Sequence, residues 1–389
     1  MIWTIIHIID IFVWIIISCS VGYVAFFAFI SLKKKNNAAT SAIINDDTRF
    51  AVIFPAYNED IVIRNSIEHF LTQDYPTSLY TLAVVSDHMQ DSTNEWLATH
   101  SLLLLQPVFE KSSKAKALQY AIEQLEGYNY SHIVILDADN IVEPNFLSRL
   151  NIVCKQGHRV IQCHRTAKNS DNDISALDGV SEEINNTIFR RAHNIIGLSS
   201  ALIGSGMCFE AEWFKSHVNA LSTAVEDREL EAQLLKERVH IHYEDDILVM
   251  DEKVSSQDNF QRQRLRWMTG QIQSLISMLP HIPKAICELN IDYIDKTIQQ
   301  MLIPRSILIL TLPLLSLIIT VVNWQWSIKW WTLLCIFFIS LFIAIPSQLR
   351  SIKLLTKLTS LPSLAWRMVT NIFHIRTSDT SFSHTTHDK

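Results

Sequence analysis

From Ile11 to Leu32 the chain carries no charged residue, and Lys33, Lys34 and Lys35 follow at once. As a helix, an uncharged run of this length can cross the ~30 Å hydrocarbon core of a bilayer. A cleaved signal peptide carries its positive charge before the apolar run, so this one is expected to be retained. Two further uncharged runs lie late in the chain, Ser306 to about Val322 and Trp330 to Leu349. The link between them holds Trp324, Trp326, Trp330 and Trp331, a concentration suited to a membrane–water interface. Lys33–Lys35, Arg305, Arg350, Lys353 and Lys357 flank the runs on the other side. The excess of basic residues on cytoplasmic flanks then predicts a multi-pass protein of the inner or plasma membrane, with residues from about 36 to 300 and the C-terminal tail in the cytoplasm. The rival reading, two buried helices of a soluble protein, leaves the consistent charged flanks unexplained.

The 389 residues suffice for one substantial core plus accessory segments. A net charge of -6 gives no sign of a nucleic-acid binder. Cys19, Cys154, Cys163, Cys208, Cys287 and Cys335 form no CxxC pair, which argues against a zinc site or a disulfide framework.

Between the apolar ends, Lys33 to Asp47 reads as a linker. Short apolar runs then alternate with helical patterns. Phe50–Phe54, Leu82–Val85 and Ile133–Leu136 read as strands, and Ile61–Leu71 and Lys114–Leu125 have helical spacing. The alternation predicts an α/β fold with a mostly parallel sheet covered on both faces, and a ligand beyond the carboxyl ends of its strands.

Those strand ends are unusual. Pro55-Ala56-Tyr57-Asn58-Glu59-Asp60 follows the first strand, Ser86-Asp87-His88 the second and Asp137-Ala138-Asp139-Asn140 the third. Asp137 and Asp139 can offer oxygens to one hard cation, Mg2+ or Mn2+, which can bridge to a diphosphate. Asp87 can accept hydrogen bonds from a base or ribose, and Tyr57 offers a stacking face. A DxD pair alone is commonly a loop; its position beside the other two motifs favours a site. Lys114 and Lys116, at a helix start, suit either phosphate or a solvated turn. Gly204-Ser205-Gly206 suits either close substrate approach or a simple turn. Glu226-Asp227 reads as a helix cap or as a general base for an acceptor hydroxyl. Gln261-Arg262-Gln263-Arg264-Leu265-Arg266-Trp267 reads as a basic interface helix, as a sugar and diphosphate contact, or as both.

This ordered set resembles family 2 glycosyltransferases, and most of all the membrane-bound synthases of cellulose, hyaluronan, chitin and poly-N-acetylglucosamine. The resemblance covers about residues 48 to 270 and implies a GT-A domain at 48–250. Interface helices with a QxxRW motif at 251–300, spans at 1–32 and 301–350, and a cytoplasmic interface helix and tail at 351–389 complete the expected order. It further implies that Pro55, Tyr57, Glu59, Asp87 and Lys114 bind the donor. Asp137 and Asp139 form the DxD pair, with Asp139 the more direct metal ligand, and Asp227 is the catalytic base. Gln263 and Arg266 meet diphosphate, while Trp267, Glu226, Gly204, Ser205 and Gly206 build the acceptor site. Phe382-Ser383-His384-Thr385 looks like the Phe-x-x-Thr gating loop of cellulose synthases, with His384 in place of the usual Val; a fraying tail is the alternative.

The implied reaction moves a sugar from a nucleotide donor, with uridine favoured, to a growing polysaccharide or a lipid-linked glycan. It uses a divalent metal and inverts the anomeric centre. Three spans are fewer than a polysaccharide channel normally offers. Addition of a few sugars to a lipid-linked acceptor, a homo-oligomer and an export partner are therefore all open. A nucleotidyltransferase would need a Gly-rich loop, and Pro55 to Asp60 contains no Gly. An inactive scaffold or nucleotide-sugar sensor would not need Asp137, Asp139, Asp227 and Arg266 together.

Overall fold

The computed structural model describes residues 1–33, 47–221, 223, 225–350 and, beyond them, 357, 366, 367, 370 and 371. The candidate gating residues Phe382, His384 and Thr385 lie outside the described residues.

Eight strands form one sheet: β1 (Phe50–Tyr57), β2 (Tyr80–Asp87), β3 (Leu103–Leu105), β4 (His132–Ile135), β5 (Ile141–Val142), β6 (Val160–Ala167), β7 (Met207–Glu210) and β8 (Ile241–Asp251). Their order is β3-β2-β1-β4-β7-β6-β8-β5. The pairings β1–β2, β1–β4, β2–β3 and β6–β8 are parallel; β7 runs against both its neighbours, and β5 against β8. The sheet is thus mostly parallel, with an antiparallel insertion. Alternation along β1 explains why both faces are covered. Ala51 and Ile53 pack with Ala117, Leu118 and Ala121 of the helix Lys114–Gln124. Phe50, Val52 and Phe54 pack with Ile63, Ile67 and Phe70 of the helix Ile63–Phe70.

Among the described residues three helices, Ile2–Ile30, Arg305–Val322 and Trp324–Ala344, are long and apolar enough to cross a membrane. The first helix lies within the expected 1–32 and takes in Asp10, to which Trp330 donates (2.7 Å) and with which Lys329 pairs (2.6 Å). The bounds of the last helix differ from the expectation. The last helix begins at Trp324, because the side chain of Asn323 caps it by accepting from the backbone of Gln325 and Trp326. It stops at Ala344, just before Pro346. Most of the expected Trp-rich link is therefore helix.

Between sheet and apolar helices lie the helices Gln257–Met278, Ile282–Cys287 and Ile291–Met301. A polar junction ties the layers together. His193, fully buried, meets the Tyr23 hydroxyl (2.8 Å) and Asp295 (3.1 Å), and stacks on Phe27 at 3.7 Å. The described tail residues return to the same layer: Asn371 donates to the backbone of Gln261 and Arg367 pairs with Asp258.

Candidate active site

Tyr57 and Asp87 end β1 and β2 in register with one another. The chain then turns sharply at both ends, with Asn58 at φ 53° and His88 at φ 56°, and the Asn58 amide donates to the Asp87 carbonyl. Such positive φ is uncommon outside glycine and clusters at ligand sites. His88, which the sequence did not single out, sits 2.6 Å from the buried Asp87 carboxylate, with its ring 5.4 Å from that of Tyr57.

Past β4, Asp137 and Asp139 take different surroundings. Asp137 pairs with Lys114, whose ammonium also donates to the Gly204 carbonyl (2.7 Å) and lies 3.5 Å from Glu226. Ser113 caps that helix, which puts Lys114 in its first turn and aims it at these acceptors. Lys116 instead donates to the Lys111 carbonyl, on an exposed turn. Asp139 is buried and accepts from the Glu252 amide (3.1 Å) and the Asn140 side chain (3.1 Å).

Glu226 and Asp227 open the helix Glu226–Lys236. Burial, together with Asp227 and Asp137, pushes the Glu226 carboxyl up to about 7 against the pull of Lys114. Gly204 brings these groups together. A Cβ there would lie 3.8 Å from each of Asp227, Glu226 and Lys114, so glycine leaves the space among them open. Ser205 and Gly206 are placed differently from Gly204. Both are buried behind the cavity wall, and the Ser205 hydroxyl donates to Asn140. Gly206 has φ 62°, and a Cβ there would come within 2.9 Å of Val249. Gly204, at φ 83°, carries the same backbone strain, so the clash decides the difference: Gly206→Ala should destabilise the fold by ~1–3 kcal/mol more than Gly204→Ala, whose added carbon meets nothing closer than 3.8 Å. Thermal unfolding of the two variants side by side tests this.

The helix Gln257–Met278 supplies the remaining wall. Arg264 pairs with Asp178 and lies over the Phe260 and Trp267 rings at 4.8 and 4.3 Å. The Gln263 side-chain oxygen is buried and has no partner among the described residues. All of these elements line one cavity of about 980 Å3. On its strand-end side stand Pro55, Tyr57, Glu59, Asp87, Asp137 and Asp139. Lys114, Gly204, Glu226 and Asp227 line it too, as do Gln263, Arg266 and Trp267. The structure also contributes a buried charge cluster that the sequence reading missed. Glu182 lies 3.1 Å from Arg165, 3.2 Å from Arg190 and 3.8 Å from Lys253, and Lys253 pairs with Asp251 at 2.7 Å. Arg165 at a buried position of a mostly buried strand was the available clue, since a charge there needs a partner.

The family model for glycosyltransferase like family 2 matches residues 48–270, more than half of the chain. The chain belongs to this family. This family 2 glycosyltransferase is similar in fold to the mannosyltransferase PcManGT from Pyrobaculum calidifontis, solved in complex with GDP-Man and Mn2+. The identity is 17%, the likeness covers 85% of this chain and 95% of that one, and the TM-score is 0.54. It is also matched by S. aureus TarS 1-349 at 16% identity, over 83% and 88% of the two chains, with a TM-score of 0.42. No curated protein matches the sequence.

Proposed function

We propose that this family 2 glycosyltransferase is a membrane-bound inverting enzyme. It transfers a sugar from a nucleotide donor to a growing polysaccharide or lipid-linked glycan at the cytoplasmic face. The observation that carries the reading is the convergence of Asp227, Glu226, Lys114 and Asp137 around Gly204, in a cavity that begins at the strand ends. The basic flanks and the three apolar helices support the membrane placement.

In this reading Tyr57, Glu59 and Asp87 hold the nucleoside, and Gln263, Arg266 and Lys114 face the diphosphate. Asp227 accepts the proton of the acceptor hydroxyl as its oxygen attacks the anomeric carbon opposite the leaving nucleoside diphosphate. Glu226 is a weaker choice of base, since it is buried and already faces Lys114 at 3.5 Å. Among the described residues Asp227 has no ion-pair partner, and it lines the cavity. A single displacement gives a β-linked product from an α-linked donor. Trp267 offers a stacking face to the acceptor sugar.

The carboxylates suit a hard divalent ion: Asp139 and Asp137 both line the cavity and offer only oxygen. Among the described residues no group of three or more His, Cys, Asp or Glu side chains could hold a metal by itself, which fits an ion whose shell is completed by a diphosphate. When bound, that ion would offset negative charge on the diphosphate. PcManGT was solved with Mn2+.

Uridine is the expected base, but PcManGT was solved with a guanosine donor, so the test must span both. The full chain in nanodiscs, given a panel of nucleotide sugars with Mn2+ or Mg2+, should release nucleoside diphosphate from one donor. Asp139→Ala should lower that release on the order of 100-fold. No release from any donor, with membrane lipid extract present as acceptor, would refute the reading.

A further inference from the structure

The cavity does not end at Trp267. It continues to Ile309 on the helix Arg305–Val322 and to Phe338, Leu341 and Phe342 on the helix Trp324–Ala344. Phe338 and Phe342 are 43% and 59% exposed, on helices apolar enough to lie in a bilayer. A hydrated glycan gains only ring stacking from such a wall, and burying its hydroxyls against it without hydrogen bonds is costly. A hydrocarbon chain gains about 25 cal/mol for each Å2 it removes from water there.

Three cations, Arg264, Arg305 and Arg350, line the same cavity. Arg305 donates through Nη2 to Asn185 (2.7 Å) and to the Ser181 carbonyl (3.2 Å), while its Nη1 is buried and has no hydrogen-bond partner among the described residues. Arg264 uses its Nη2 on Asp178 and leaves Nε buried and without a partner among the described residues. Arg350 donates to the carbonyls of Ile345 and Ile343, and its guanidinium lies 4.7 Å from the Phe342 ring centre. Among the described residues neither Arg305 nor Arg350 has a carboxylate partner, and both line the cavity. Buried donors of this kind are ordinarily satisfied, and guanidinium groups match phosphate oxygens closely.

We propose that the acceptor is an anionic membrane lipid, with its phosphate held by Arg305, Arg264 and Arg350 and its chains lying against Phe338, Leu341 and Phe342. The proposal rests on the transferase reading above and names its acceptor class. The lipid reaches the cavity sideways, from the leaflet on the catalytic side. Its headgroup carries a free hydroxyl towards Asp227. That hydroxyl loses its proton to Asp227, its oxygen forms the new bond to the anomeric carbon, and the bond from that carbon to the diphosphate breaks with the electron pair leaving on the nucleoside diphosphate. The lipid phosphate itself is unchanged.

Phosphatidylglycerol, which has both a phosphate and a headgroup hydroxyl, is the probe, and phosphatidylcholine is its neutral control. Native mass spectrometry of the full chain in neutral detergent should show one phosphatidylglycerol retained at least tenfold more tightly than phosphatidylcholine. Arg305→Gln should abolish that preference and Arg305→Lys should keep it, with both variants melting like the parent. Equal retention of the two lipids, or a preference surviving in Arg305→Gln, would overturn the site. With the donor found in the release assay, labelled sugar should enter the organic phase when nanodiscs contain phosphatidylglycerol or native lipid extract. Label found only in water-soluble glycan would overturn the acceptor assignment. Absence of turnover with every donor would sink the transferase reading, while the lipid-retention result still decides the headgroup site.

Discussion

Replacing Asp227 by Asn should cut turnover by ~10²–10⁴-fold, the contribution typical of a positioned general base, and leave donor binding nearly unchanged. The substitution is mild for the fold. Asp227 accepts from the Arg228 amide at 2.8 Å, and an Asn oxygen can accept the same bond. What is lost is the ability to take a proton. Nucleoside diphosphate release and donor affinity, measured on one preparation, separate the two effects. A variant that turns over at the parent rate would move the base to Glu226, whose carboxyl is held at about 7 by burial and by its acidic neighbours.

The largest effect on stability is expected at Glu182. This buried carboxylate, which lines the cavity, faces Arg165, Lys253 and Arg190. Glu182→Ala leaves those cations buried with less counter-charge and should cost ~3–5 kcal/mol. Pairing it with Arg165→Gln should recover part of the loss, because the two residues act as one network. Burial alone would raise the Glu182 carboxyl, but the three cations outweigh burial and hold it at about 2, below its ordinary 4.5. A lowered carboxylate stabilises the fold above its unfolded value. That contribution is therefore complete above about pH 4.5 and is lost as the pH falls towards 2. Unfolding curves of parent and variant should converge across that window. A Glu182→Ala protein as stable as the parent at neutral pH would show that water reaches the cluster.

Much of this was legible in the sequence because burial writes itself plainly on parallel strands. The strands β1, β2 and β4 are covered on both faces, so they read as unbroken apolar runs, and the carboxylates at their ends stand out. Strand β8 was not legible. Glu244, Asp245 and Asp246 interrupt it, and the structure absorbs them in an irregularity opposite Cys163 and His164, where Asp245 pairs with His164 at 3.1 Å. The Arg165–Glu182–Lys253 cluster was hidden for a different reason. Its members come from β6, from a helix and from the segment after β8, and only the folded sheet brings them together. The place of Asp10 inside the first apolar helix, within the expected 1–32, is explained only once Lys329 is seen beside it.

That last pair sets an order of events during synthesis. Lys329 follows Asp10 by some three hundred residues. If Ile2–Ile30 enters the bilayer as it emerges, it does so with an acidic group whose counter-ion does not yet exist; Asp10 lies nearer the end of its helix than the middle, so the penalty stays below the ~2.5–3.5 kcal/mol of an aspartate at the centre of a span. Only when Trp324–Ala344 arrives are Lys329 and Trp330 in place beside Asp10. The helix Ile2–Ile30 is therefore secured by the helix Trp324–Ala344, and a ribosome stalled between them would leave Asp10 without its ion pair.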